Sequence, residues 1–245
     1  MDQQNRRVSL PALVRGFITA IWVLLTTVIY SLPCILLARK STALGIFLSR
    51  LWCSQMLSLA GARLRVVGLE KLDPCGKYIF VANLQSHFDI PALFAVLPFR
   101  LVFAAKKELF RIPFFGWGIA ALGHITIDRD SARKARQSLT AAVNRLKNEN
   151  ICTVIFPEGT RSLDGSLGEF KRGSFTMAVE SGLPVVPVFI NGTGTVLPKK
   201  ALLPRPAAVT ITLGTPIATA GDDKETLSGA VRQCIASMAA QLSFN

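Results

Sequence analysis

The chain has 245 residues, half of them hydrophobic, and carries 28 lysines and arginines against 15 aspartates and glutamates, a net charge of +13. That length suits one α/β domain of ordinary size with a short appendage, and the mean hydropathy of +0.41 is high for a soluble domain. The charge fits a polyanionic partner such as nucleic acid, an anionic bilayer surface or phosphorylated small molecules. A long apolar segment, which a nucleic-acid binder does not need, argues against the first of these. The five cysteines (Cys34, Cys53, Cys75, Cys152 and Cys234) are widely spaced, with no C-x-x-C pair. This speaks against a disulfide scaffold or a zinc site and for reducing, cytosolic surroundings.

Phe17 to Ala38 is a run of 22 residues without a charge. As a helix it would be about 33 Å long at roughly 1.5 Å per residue, which matches a hydrocarbon core of about 30 Å. Pro33 falls near its end, where it is expected to interrupt or kink the helix. Ala43 to Ala60 supplies a second helix, with Leu44, Phe47, Leu48, Leu51 and Trp52 at helical spacing. Basic residues flank the first run on both sides (Arg6, Arg7 and Arg15 before it; Arg39, Lys40 and Arg50 after it). The positive-inside rule therefore gives no orientation. A hairpin of helices half-inserted in one leaflet and a true span both fit, and a buried core helix is the alternative to either.

From Arg63 the periodicity changes. Leu64 to Gly68, Tyr78 to Ala82, Leu101 to Ala104, His124 to Asp128, Cys152 to Phe156, Val185 to Ile190 and Val209 to Leu213 read as strands. Ile90 to Leu97 reads as a short helix ended by Pro98, and Arg111 to Ala121 as a loop or irregular helix. Ser131 to Asn148 is strongly amphipathic, with Ala135, Leu139, Ala142, Val143 and Leu146 on one face. Phe175 to Ser181 is a helix ended by Gly182, and Lys224 to Leu242 a closing helix. Strands and helices alternate, which predicts one layered α/β domain with a mixed sheet flanked by helices. The expected division is residues 1–62 for the membrane-associated helices and 63–245 for the α/β domain.

Three segments concentrate reactive side chains. Phe156 to Ser162 (FPEGTRS) follows a buried strand, at the kind of sheet edge where α/β proteins place ligands. There Arg161 can grip a phosphate through two parallel hydrogen bonds. Glu158 can orient that guanidinium or accept from a hydroxyl, and Lys171 and Arg172 add two cations nearby. Val81 to Ile90 (VANLQSHFDI) leaves a strand and opens a helix, so Asn83 or Ser86 is expected to cap it and Asp89 to suit the helix dipole. It also holds one His and one Asp, the pair that general-base catalysis on a hydroxyl requires. Gly123 to Arg129 (GHITIDR) puts Arg129 at the sheet edge, where Asp128 is its competing partner, and Lys106 and Lys107 add to the same edge. His124 sits within a strand pattern and is read as a packed histidine.

In that order the segments resemble the phospholipid and glycerol acyltransferases, especially the 1-acylglycerol-3-phosphate acyltransferases of bacteria, over nearly all of residues 64 to 215. The first family block, loosely Asn-His-x-Ser-x-x-Asp, is matched by Asn83, Ser86 and Asp89; the second by Gly123, Ile125, Ile127 and Asp128-Arg129; the third in full by Phe156 to Ser162; the fourth by Val185 to Val188. Lys106, with Pro113 and Gly116 after it, and Phe170-Lys171-x-Gly173 also resemble family features. The resemblance implies transfer from acyl-CoA or acyl-carrier protein to lysophosphatidic acid, with a His-Asp pair as base and orienter. Acceptor phosphate would be bound by Arg129 and by Glu158, Gly159, Thr160 and Arg161, with Lys106 and Lys171 assisting. No metal or bound cofactor is implied. A hydrophobic helix pair at the membrane is, and in a bacterium that means the cytoplasmic face of the inner membrane.

The chain departs from the family at the centre of this scheme: the position of the family histidine is Leu84. Leucine cannot accept a proton. Its only histidines are His87 and His124, and His87, two residues before Asp89, points elsewhere if the segment is helical. Three readings follow: a natural or engineered inactive variant that keeps the substrate sites, substitution by His87 through an altered loop, or slow residual transfer from positioning alone. A serine hydrolase is disfavoured by the lack of a G-x-S-x-G elbow.

Overall fold

Runs of Val, Ile and Phe bounded by polar or glycine-containing turns form the strands. They are β1 (Ala62–Val67), β2 (Ile79–Ala82), β3 (Leu101–Lys106), β4 (Ile125–Ile127), β5 (Cys152–Ile155), β6 (Val185–Asn191) and β7 (Ala207–Leu213). The structure, a computed structural model, describes residues 10–37, 42–128, 131–219 and 223–243. The strands make one mixed sheet of seven in the order β1-β7-β6-β2-β5-β3-β4. All pairings are parallel except β6–β7. Central strands β2 and β6 are buried along almost their whole length, as expected of strands covered on both faces and read from sequence as unbroken apolar runs.

Helices cover both faces: α1 (Leu10–Leu37), α2 (Thr42–Ala60), α3 (Asp89–Val96), α4 (Phe115–Ala121), α5 (Ala132–Asn148), α6 (Thr176–Ser181), the single turn α7 (Thr193–Val196) and α8 (Lys224–Ser243). On one face, α2 and α3 pack Met56, Leu57, Leu93 and Leu97 against Phe80, Phe103 and Ile211, with Trp22 and Val23 of α1 outside them. On the other, α5, α6 and α8 pack Leu146, Ala178, Val231 and Ile235 against Ile79, Val81 and Val102. The core is therefore two apolar layers divided by the sheet.

The N-terminal helices differ from expectation in two ways. α1 begins at Leu10, ahead of the charge-free run, and continues through Pro33 to Leu37. A proline at its second residue fits a first turn whose N–H groups have no helical partner. The basic flanks Arg6, Arg7, Arg39 and Lys40, and Ala38, lie outside the described residues. By length and composition, Leu13–Leu37 and Ala43–Ala60 could each cross a membrane. α1 leaves Ile21, Leu24 and Leu25 more than half exposed. α2, in contrast, buries Cys53, Met56, Leu57 and Ala60 in the domain core, so one face of it is core helix.

The segment expected as loop or irregular helix, Arg111 to Ala121, starts at the last residue of a 3₁₀ turn, Lys107–Arg111, and contains α4. Between them Phe114 has φ 59°, the one positive φ outside glycine among the described residues. α7 was not expected from sequence, because four residues are too few for a periodicity to show.

Candidate active site

Strands β2, β3, β4, β5 and β6 run the same way, so the segments that follow them meet at one edge of the sheet. Asn83 leaves β2 and acts as an extra sheet rung: its Nδ2 donates to the carbonyl of Ile190 at 2.9 Å, and its Oδ1 accepts the Ile190 N–H at 2.7 Å. It does not cap α3. Nor does Ser86, whose Oγ donates to the carbonyl of Leu197 at 2.9 Å and accepts the N–H of Phe88, a residue before the helix, at 3.3 Å.

Asp89 is fully buried at the first residue of α3. Its Oδ2 accepts the N–H of Gln85 at 2.7 Å and of Ser86 at 2.8 Å, which bends residues 84–88 around the carboxyl. Oδ1 is buried too and makes no well-formed hydrogen bond among the described residues, although the Thr193 hydroxyl, 3.5 Å from Oε1 of Gln85, lies close enough to the carboxyl to lower its pKa. Burial pushes this carboxyl up to about 6, with Glu158 adding to the rise, although the N–H of Ser86, the Thr193 hydroxyl and the N–H of Gln85 pull the other way. A buried acceptor left empty is rare. This one belongs to the carboxyl that the sequence pairs with position 84.

Leu84 itself is partly exposed and its backbone is fixed at both ends to the loop after β5. Its N–H donates to Oε1 of Glu158 at 2.9 Å, and its carbonyl accepts the N–H of Ser162 at 2.8 Å. The other oxygen of Glu158 accepts the Gly168 N–H at 3.0 Å. Glu158 is thus committed to backbone groups and joins the two loops, a role not visible in its sequence neighbourhood.

Arg161, Lys171, Arg172 and Lys199 line an open groove of about 800 Å³ together with Thr160 and the acidic Glu158, Asp164 and Glu169. Gly159 takes φ +67°, and a side chain there would start 3.0 Å from Nζ of Lys171. The glycine lets that ammonium lie over the loop backbone. Arg161 accepts Nζ of Lys199 on its carbonyl at 2.7 Å; its guanidinium makes no hydrogen bond among the described residues. Arg172 is drawn away to Glu225 of α8 at 2.8 Å, so of the cation pair read from sequence only Lys171 is unengaged. Lys199 was missed. Its one signal is the Lys199-Lys200 pair after Leu197-Pro198, a loop that contact with Ser86 brings to the site.

His87 is exposed and makes no hydrogen bond to Asp89, whose Oδ2 is taken by backbone. Partial burial, and then the charge of Arg161, push its imidazole below the ordinary range. Lys106 ends β3 exposed at the same edge. Arg129 lies outside the described residues; Asp128 beside it pairs with Lys107 at 3.3 Å. His124 is buried and packs on Phe103 with the rings tilted by 34° and their centroids 4.0 Å apart.

A family model described as Acyltransferase matches residues 63–191. The chain belongs to the acyltransferase family. It is 31% identical over 179 residues to the 1-acyl-sn-glycerol-3-phosphate acyltransferase of Salmonella typhimurium, covering 73% of this chain and 72% of that protein. It is 36% identical over 196 residues to the enzyme of that name from Chlamydomonas reinhardtii, and 34% over 175 residues to that of Saccharomyces cerevisiae. Those matches take in 78% and 71% of this chain but only 57% of either relative. The crystal structure of the 1-acyl-sn-glycerophosphate acyltransferase PlsC from Thermotoga maritima superposes with a TM-score of 0.83 at 27% identity, over 96% of this chain and 98% of that one. The mixed seven-stranded sheet and the paired apolar helices are therefore features of an acyltransferase of this family.

Proposed function

We propose that this acyltransferase scaffold takes up 1-acylglycerol-3-phosphate at a membrane surface and directs an acyl group from acyl-CoA or acyl-carrier protein to its free hydroxyl, giving phosphatidic acid. The observation that supports the reading is the groove that brings Arg161, Lys171 and Lys199 together beside a buried carboxyl at the sheet edge. Arg161 and Lys171 hold the acceptor phosphate with the exposed backbone of Gly159 and Thr160 between them, Lys106 and Arg129 complete the charge, and Glu158 keeps the two loops in register. The apolar face of α1 supplies the bilayer contact, and residues 1–62 form the membrane-associated part ahead of the α/β domain.

Transfer needs a base for the hydroxyl proton. At position 84 there is none, and His87 is not oriented by Asp89. The empty Oδ1 of Asp89 favours a second reading, in which the chain binds the lysophospholipid and turns it over slowly or not at all. One assay separates the two. Membranes holding the chain or its Leu84→His variant are given lysophosphatidic acid and labelled acyl-CoA, or acyl-carrier protein in a second series. A gain for Leu84→His of about a hundred- to ten-thousand-fold is the size expected for restoring a general base. Parental turnover equal to that of a histidine-bearing relative would exclude the binding-only reading.

A further inference from the structure

At the other end of β3 from Lys106, roughly 20 Å away at about 3.3 Å per residue, a small cavity opens between α2 and the sheet. It encloses about 70 Å³ and is lined by Arg50, Arg100 and His124 among apolar neighbours and Ser49, with no acidic residue in its wall. One water needs roughly 10–15 Å³ of such space, so the cavity admits a tetrahedral oxyanion or a few waters.

The polar groups around it are donors. Arg50 uses Nη2 for the carbonyls of Leu97 and Phe99 at 2.7 and 3.1 Å, which anchors the guanidinium and leaves its other nitrogens unengaged among the described residues. Nε of Arg100 is buried without a hydrogen-bond partner, and Nη2 of the same guanidinium stands 3.9 Å from Glu149. That carboxylate is already held by Arg145 through bonds of 2.7 and 3.0 Å. His124, 8% exposed, accepts the Phe103 N–H on Nδ1 at 3.2 Å. The neutral ring must then carry its proton on Nε2, which bonds nothing among the described residues. Burial and the charge of Arg145 push this histidine down to about 3, so it stays a neutral donor. The Ser49 hydroxyl donates to the Gly45 carbonyl at 2.8 Å. Water in such a ring finds donors but few acceptors for its own protons. An oxyanion uses every one of them, and compensates two guanidiniums that have at most a share of one carboxylate.

We propose that this cavity is a phosphate-binding subsite separate from the catalytic edge, formed by Arg50, Arg100 and the Nε2 of His124. The phosphate is free in solution or belongs to an anionic lipid headgroup, for which the position of Arg50 on apolar α2 is suited.

The test exploits the chain's having only two histidines. The full chain, labelled with ¹⁵N and ¹³C histidine in phosphate-free zwitterionic detergent, is titrated with inorganic phosphate or, separately, with short-chain phosphatidylglycerol; a His87→Asn sample assigns the rings. The His124 ring signals should move saturably with at least one probe, keep doing so in Arg161→Ala, and need about tenfold or more probe in Arg100→Met. Response to inorganic phosphate identifies a soluble source, and response to the lipid alone a headgroup. His124 signals that stay put with both probes overturn the proposal. So does a shift that vanishes in Arg161→Ala but is unchanged in Arg100→Met. Should Arg100→Met fail to fold, the titration of the parent chain and of Arg161→Ala still decides.

Discussion

Oε1 of Glu158 accepts the backbone N–H of Leu84 at 2.9 Å, while Oε2 accepts that of Gly168 at 3.0 Å. One buried carboxylate therefore sets the spacing between the loop that carries Asp89 and the loop that carries Arg161. Replacing it with alanine leaves two N–H groups without an acceptor, each worth about 1–3 kcal/mol when desolvated. Glu158→Ala should lose about 2 kcal/mol or more in urea unfolding. Glu158→Gln should lose nearly as much, since its amide turns a donor toward one of those N–H groups. A loss under about 0.5 kcal/mol for both variants, the usual range for a surface change, would show that the loops are held by other contacts.

How much of this could be read from the chain follows from what each signal encodes. The central strands were legible because burial on both faces leaves an unbroken apolar run, as in Val185 to Ile190. α5 was legible because its face repeats at the helical period. The length of α1 was less so: Arg15 lies inside the helix, and a charge count stops where the charge does. Asn83 and Glu158 were misjudged for a common reason. Their partners, Ile190, Leu84 and Gly168, are distant in sequence or are backbone groups, and backbone bonding leaves no mark on residue identity. The motif positions Arg161 and Lys171 do meet at one groove, because parallel strands deliver their following loops to the same edge. Lys199 joins them from a loop with no motif of its own.

Arg161 and Lys171 line the same groove with their charged groups unengaged among the described residues, whereas the Arg172 guanidinium is held by Glu225. Lysophosphatidic acid binding, measured by calorimetry in detergent, should weaken about tenfold in Arg161→Ala, the low end for a charge-assisted bond because the side chain is part-exposed and screened. Lys171→Ala should cost about threefold, as an exposed point charge does. Arg172→Ala should leave binding within about twofold. Equal losses in all three would mean that the groove acts through net charge and has no defined phosphate position.

The Asp89 carboxyl, raised to about 6 from its ordinary value of 3.8, makes a signed prediction for pH. Its folded form holds the proton more tightly than the unfolded chain does. The stability it contributes is therefore full below the unfolded value and is lost as pH rises through about 6. A shift of that size amounts to roughly 3 kcal/mol at most. Asp89→Asn keeps an oxygen for the N–H groups of Gln85 and Ser86 and never ionises. The difference in unfolding free energy between variant and parent should then be small near pH 4 and favour the variant by up to about 3 kcal/mol at pH 8. Comparison within the pair cancels the other carboxylates, such as Asp164, that titrate in the opposite sense. A difference flat across that range would place the proton elsewhere.

Position 84 and Asp89 can be tested as a unit through the unpartnered Oδ1. A histidine at 84 whose ring N–H reaches that oxygen gains an orienting carboxylate, and the carboxylate gains the partner it lacks. Leu84→His should then lower the Asp89 pKa from about 6, removing part of the stability loss above that pH, as well as raising acyl transfer. Removing the orienter from that background, in Leu84→His/Asp89→Asn, should erase most of the gain, whereas Asp89→Asn alone should change the low parental rate by less than about tenfold. The double-mutant cycle would then show coupling of more than about 2 kcal/mol between the two positions. Additive effects, with the histidine equally useful beside aspartate or asparagine, would mean that the empty oxygen is a packing defect and that Leu84 stands at no catalytic position.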